Sequence, residues 1–167
     1  MTDTEPQRPD VGKDNHAGVR LPPPALFLGA LIIGIVLEWL WPLGWFEGLG
    51  DPLHYGLGGV LVVAGVVLLI SAMIEFRRAG TAIPPWEPAT ALVTTGAYRF
   101  SRNPIYLAMT AICLGLALLF AASWALVLLI PTLAALHVWV IRREEAYLDR
   151  RFGEAYRQYR TRVRRWV

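Results

Sequence analysis

The residue types best suited to chemistry gather in the run Arg142-Arg143-Glu144-Glu145. Carboxylates hold cations or take protons, and arginines hold carboxylates or phosphates. Neighbouring helical residues point about 100° apart, so the two glutamates are not expected to share one small site. On spacing alone the run reads as a solvated helix end in which Arg142 and Arg143 are the charge partners of the glutamates. His137 stands seven residues earlier, on the face of Glu144 in a regular helix. A lone histidine in an apolar helix is a functional candidate, and equally a packed or helix–helix hydrogen-bonded residue. Arg102 taken singly is an ordinary basic residue ahead of an apolar run. Glu38 is expected to reach an interface, and Glu75 to face Arg77 or Arg78. No His/Cys cluster suggests a metal, no Gly-rich motif suggests phosphate binding, and no nucleic-acid partner is expected.

These residues sit among very apolar segments. Of the 167 residues 55% are hydrophobic and 17% charged, which argues against a soluble domain. Residues 25–41 carry one charge, Glu38, and residues 54–76 none before Glu75. Residues 104–141 carry none apart from His137 and are too long for one span of about 20 residues, so Ala121, Ala122 and Ser123 are read as a turn. The expected fold is all-α: an integral membrane bundle of four transmembrane helices at about 25–41, 54–76, 104–120 and 124–141. Residues 1–24 form a polar, Pro-rich, disordered tail, and 25–167 a single domain. The first apolar run does not read as a signal peptide, because a polar stretch precedes it and no small-residue cleavage site comes after it. Cys113 is a packing residue. Ala30 with Gly34, and Ala111 with Gly115, permit close helix packing.

Charge orients the bundle. Arg8, Lys13 and Arg20 precede the first helix, and Arg77, Arg78, Arg99 and Arg102 lie between the second and third. Nine arginines come after the fourth, so all 16 basic residues fall on one side of a four-span arrangement. The positive-inside rule makes that side cytoplasmic, with both termini, in a multi-pass inner (plasma) membrane protein. Such a face suits anionic lipid headgroups.

Two cytoplasmic segments then matter. The loop from Arg77 to Asn103 holds Pro84, Pro85, Trp86 and Pro88 and is read as ordered against the membrane. Asn103-Pro104 starts the third helix, where the missing proline N–H costs nothing. After the fourth helix, Leu148, Phe152, Ala155, Tyr159 and Val163 recur at helical spacing. They predict an amphipathic helix over about 142–165 lying in the interface, bent at Gly153 and anchored by Trp166.

The segment LVTTGAYRFSRNPIY, followed one hairpin later by EEAYL and then by FGEAYRQYRTRV, resembles the isoprenylcysteine carboxyl methyltransferase and phospholipid N-methyltransferase superfamily, over about residues 80–165. The resemblance implies an S-adenosylmethionine site on the inner face. Leu92, Val93 and Tyr98 would line it, Asn103, Pro104, Ile105 and Tyr106 would close over it, and Glu144 would take the cofactor's ammonium group. The family often has His where this chain has Asn103. The arginine that holds the substrate carboxylate in prenylcysteine enzymes is replaced here by Val140, with Arg142 and Arg143 nearby.

The function this resemblance implies is methyl transfer from S-adenosylmethionine to a lipidic or amphiphilic acceptor, either an isoprenylcysteine-like carboxylate or a phospholipid-like amine. Arg102, Glu144 and Glu145 are the catalytic candidates, and Arg142, Arg143 and His137 the substrate-binding ones. The C-terminal helix would roof the cofactor. The alternatives are a relative of the NADPH-dependent sterol-type reductases and a non-catalytic lipid-binding membrane protein.

Overall fold

The computed structural model describes residues 22–46, 51–84 and 87–167. Most of the expected N-terminal tail, and Pro85 and Trp86 of the long loop, lie outside the described residues. Among the described residues the chain is all-helical, without a strand. Helix α1 spans Pro23–Leu40 and starts on two prolines, whose fixed φ suits a first helical turn. It therefore begins inside the stretch expected to be tail. Helix α2 spans Asp51–Arg78, α3 Pro104–Leu119 and α4 Ser123–Leu136.

Three segments are long and apolar enough to cross a membrane: Pro23–Leu40, Pro52–Arg78 and Ser123–Phe152. Helix α3 is apolar but has only 16 residues, about 24 Å against a hydrocarbon core of about 30 Å. The expected four spans thus correspond to three long helices and one shorter one.

Small residues set the packing. Helix α1 lies on α4 and α2 on α3. A Cβ at Gly34 would come within 2.4 Å of the Ala125 backbone, and one at Gly115 within 2.7 Å of the Gly58 carbonyl oxygen. The helices therefore approach as close as backbone allows, where dispersion contacts replace the missing hydrophobic drive between helices in lipid. Phe27, Leu31, Tyr106, Cys113, Leu129 and Leu136 fill the core between them. The other face of α2, with Val60, Val63, Val67 and Ile70, is exposed, as a lipid-facing surface must be.

The turn between α3 and α4 closes within Phe120–Ala122, with Ala121 at φ 47° and the Ala122 N–H donating to the Ala117 carbonyl at 2.8 Å. Glu38 is bonded at this end of the bundle. Its carboxylate accepts the N–H groups of Leu43 at 2.9 Å and Trp124 at 3.1 Å, so it caps the start of α4, where a negative charge suits the helix dipole.

The largest departure from expectation is beyond α4. A π-helical turn, His137–Ile141, carries the chain straight into helix α5, Arg142–Phe152, and the Arg142 N–H donates to the His137 carbonyl. The helix is thus continuous from Ser123 to Phe152. Its uncharged part ends at Ile141, and seven of the eleven α5 residues are charged, which places α5 outside the apolar span. The single interfacial helix expected over 142–165 is two helices. Gly153, at φ 52° and ψ −123°, breaks the chain in a conformation that L side chains rarely adopt, and α6, Glu154–Arg162, begins there. The break resets the helical phase. The buried residues are Tyr147, Tyr156 and Tyr159, and Ala155 of the expected stripe is exposed. Trp166, expected as an interfacial anchor, packs against the core.

Candidate functional site

The end of α2, the loop after it, the start of α3, and helices α5 and α6 enclose one cavity. The loop is held in several places. The Thr90 N–H donates to the Thr81 hydroxyl at 2.9 Å, and the Ala89 N–H to the Tyr147 hydroxyl at 3.0 Å. The Thr95 hydroxyl donates to Glu75 at 2.5 Å, and Glu75 also pairs with Arg78 at 3.2 Å. Gly96, at φ 57°, rides on that carboxylate, since a Cβ there would lie 2.7 Å from Glu75 Cδ. A 3₁₀ turn, Gly96–Arg99, then drives Tyr98 inward, where its ring meets the Phe76 ring edge-on at 5.4 Å. With Ile83, Leu92, Val93 and Ile105 these rings make an apolar wall.

The opposite wall is polar. The Tyr106 hydroxyl donates to Glu144 Oε1 at 2.6 Å. Glu145 pairs with Arg102 at 3.0 Å and with Arg165 at 2.9 and 2.6 Å. Arg102 Nη1 also reaches the Tyr156 hydroxyl at 3.4 Å, whereas its Nε is buried without a partner among the described residues. The Tyr159 hydroxyl donates to the Tyr98 carbonyl at 2.7 Å, tying α6 to the loop. Burial pushes the Glu144 carboxyl up to about 7; the Tyr106 hydrogen bond opposes the rise and the charge of Glu145 adds to it. Burial, followed by the Glu144 charge, raises the Tyr98 phenol above its usual value, so it stays a neutral group.

Leu92, Val93, Tyr98, Arg102, Asn103, Ile105, Tyr106, Glu144 and Glu145 all line this cavity, while Pro104 is buried in its wall. Glu144 and Glu145 both border this cavity. They do diverge, but toward different partners bordering the same space, Tyr106 for one and Arg102 with Arg165 for the other. Nor are they a solvated helix end. Arg142, Arg143 and His137 do not line the cavity, and the two arginines are exposed. The π turn accounts for His137: one extra residue in a turn rotates the rest of the helix by roughly a quarter turn, so a spacing of seven no longer returns to the same face.

Phe76, Ile83, Tyr147 and Tyr156 line the cavity without having been singled out for it, beside Tyr159 of the expected roofing helix. Tyr156 and Tyr159 carried a usable signal, two aromatics three apart in an otherwise polar helix. Arg165 carried none, because its partner is twenty residues away and in another element. No group of three or more metal-ligating side chains occurs among the described residues. The cavity thus joins an apolar, aromatic wall to a polar one that carries Glu144, Glu145 and Arg102.

Comparison with known proteins shows the family. The family described as phospholipid methyltransferase matches residues 53–155, more than half of the chain. An uncharacterised protein of Haemophilus influenzae is 36% identical over 63 residues, which is 38% of this chain and the whole of that protein. No solved structure matches.

Proposed function

We propose that this chain, which belongs to the phospholipid methyltransferase family, transfers a methyl group from S-adenosylmethionine to a lipidic or amphiphilic acceptor at the inner face of the plasma membrane. The observation that carries the reading is the cavity itself. Glu144 and Arg102 line a cavity whose other wall is aromatic and aliphatic, at the end of an apolar bundle, and the buried Arg102 Nε has no partner among the described residues. That donor set fits the cofactor. Glu144 would take its ammonium group, Arg102 its carboxylate, and Phe76, Leu92, Val93 and Tyr98 its adenine ring. When bound, the cofactor supplies an electrophilic methyl group on a sulfonium sulfur.

The chain's own part is orientation and electrostatics. The apolar walls and the tyrosines of α6 exclude water, which strengthens the charge interactions at Glu144 and Arg102. Displacement at the methyl carbon is in line. A carboxylate acceptor needs no base, whereas an amine or thiol must first lose a proton. The acceptor enters from the bilayer between apolar helices, in a topology with α1, α2, α3 and α4 as spans and the basic side in the cytoplasm. Exposed Arg142, Arg150, Arg160 and Arg164 would each add about 1 kcal/mol of attraction to anionic headgroups.

Equilibrium titration of the detergent-solubilised protein with S-adenosylhomocysteine and, separately, with NADPH tests the reading. Binding of the first and not the second is expected. NADPH binding alone would point to a reductase, and binding of neither to a non-catalytic lipid-binding protein. A lipid extract supplied with labelled S-adenosylmethionine would then identify the acceptor.

A further inference from the structure

The chain beyond α6 returns across the mouth of α3 and bonds there at several points. The Arg102 N–H donates to the Arg164 carbonyl at 2.9 Å. The Arg165 carbonyl accepts from the Asn103 side-chain amide at 2.9 Å and from the Ser101 hydroxyl at 3.2 Å, and that hydroxyl in turn accepts the Asn103 N–H at 3.1 Å. Ser101 and Asn103 are both buried. The Arg165 guanidinium forks onto both oxygens of Glu145, the carboxylate that also holds Arg102. Trp166 packs into the core beside this knot.

We propose that Arg165 is a positioning residue for the cavity. Its carbonyl fixes the Ser101–Asn103 turn that opens α3, and its guanidinium fixes Glu145 and, through Glu145, the Arg102 guanidinium that lines the cavity. The physical case rests on the charge count. One carboxylate shared by two guanidiniums is over-neutralised, so Arg102 keeps positive character toward the cavity instead of being spent on Glu145. Without Arg165, Glu145 and Arg102 form a closed pair, and Arg102 turns fully toward its partner. A planar fork with two parallel bonds resists such rotation far better than a single ammonium contact. Asn103 has its side-chain donor committed to the strap, which makes it part of the same scaffold.

The inference rests on the cofactor reading of the cavity, so its test has one readout that needs no ligand. In Arg165→Ala, which keeps the carbonyl and loses the fork, hydrogen exchange at the Arg102 amide should quicken severalfold in the absence of any cofactor. S-Adenosylhomocysteine binding should weaken about tenfold, the low end for losing a hydrogen bond to a charged group. Arg165→Lys, which restores one of the two contacts, should fall between Ala and wild type. In a Glu145→Gln background, Arg165→Ala should add less than about a twofold change, since two residues acting through one contact are not additive. Unchanged amide exchange, or full additivity of the two substitutions, overturns the proposal. If the wild-type protein binds no S-adenosylhomocysteine, the function proposed above fails, and the amide exchange alone decides whether Arg165 positions the turn.

Discussion

Replacing Glu144 by Gln separates charge from shape in the cavity. Gln keeps the volume and an oxygen that can accept the Tyr106 hydroxyl, which now bonds Glu144 Oε1 at 2.6 Å. Stability should survive. The folded carboxyl titrates near 7 because of burial, above its unfolded value, so the folded state holds more protons between the two values. The stability that Glu144 supports is therefore complete below the unfolded pKa and declines as pH rises through about 7. Gln is never ionised and escapes that decline, so above neutral pH the variant should melt no lower than wild type. Cofactor binding should behave in the opposite way. An ammonium group loses a charge-assisted hydrogen bond of about 1.5–3 kcal/mol, or about 10- to 150-fold in affinity. Wild-type affinity for S-adenosylhomocysteine should climb with pH until Glu144 is ionised, near 7, and then level off. Gln should give weak binding with no such climb. Calorimetric titration in detergent between about pH 5.5 and about pH 8.5 brackets the transition. A Gln variant that binds as wild type does at the upper pH, or keeps the wild-type pH profile, refutes the assignment of the ammonium group to Glu144.

Tyr106→Phe removes the one hydrogen bond that lowers the Glu144 pKa, so the rise in affinity should move to higher pH, with a loss of a few-fold at neutrality in the same titration. Gly34→Ala places a methyl within 2.4 Å of the Ala125 backbone; overpacking of this kind costs about 1–3 kcal/mol, and thermal unfolding in detergent should show a lower midpoint. For topology, single cysteines at positions 48 and 90 in a Cys113→Ser background should label from outside and from inside respectively; external labelling at position 90 in intact cells would reverse the orientation.

The apolar runs and their charge asymmetry made the helical, membrane-type character readable, because lipid solvation leaves long uncharged stretches that no short-range effect imitates. Asn103-Pro104 and the EEAY run marked the two sides of the cavity only through the family resemblance, since on spacing alone the two glutamates read as a solvated helix end. The features the sequence hid depend on irregular backbone. Nothing in His137–Ile141 announces a π turn, and that one turn removes His137 from the face of Glu144. Gly153 was visible as a bend but not as a full break with a new phase, so Ala155 was read as buried and Tyr156 was not singled out. The position of Glu38 near a helix end is legible, whereas two of its partners lie 85 and 86 residues further on, at Ser123 and Trp124. The fork from Arg165 to Glu145 likewise joins residues that no periodicity relates.

The shortness of α3 has a consequence for the depth of the reaction. Tyr106, in its first turn, is bonded to Glu144, and the far end of the helix is closed by a tight turn into α4. The proposed reacting centre is therefore tethered about 20 Å from that turn. In the proposed topology, with α5 outside the apolar span, a bilayer with about 30 Å of hydrocarbon thins around α3. Under the proposed function, turnover in reconstituted vesicles should therefore fall as the lipid chains are lengthened, since a thicker bilayer resists that thinning.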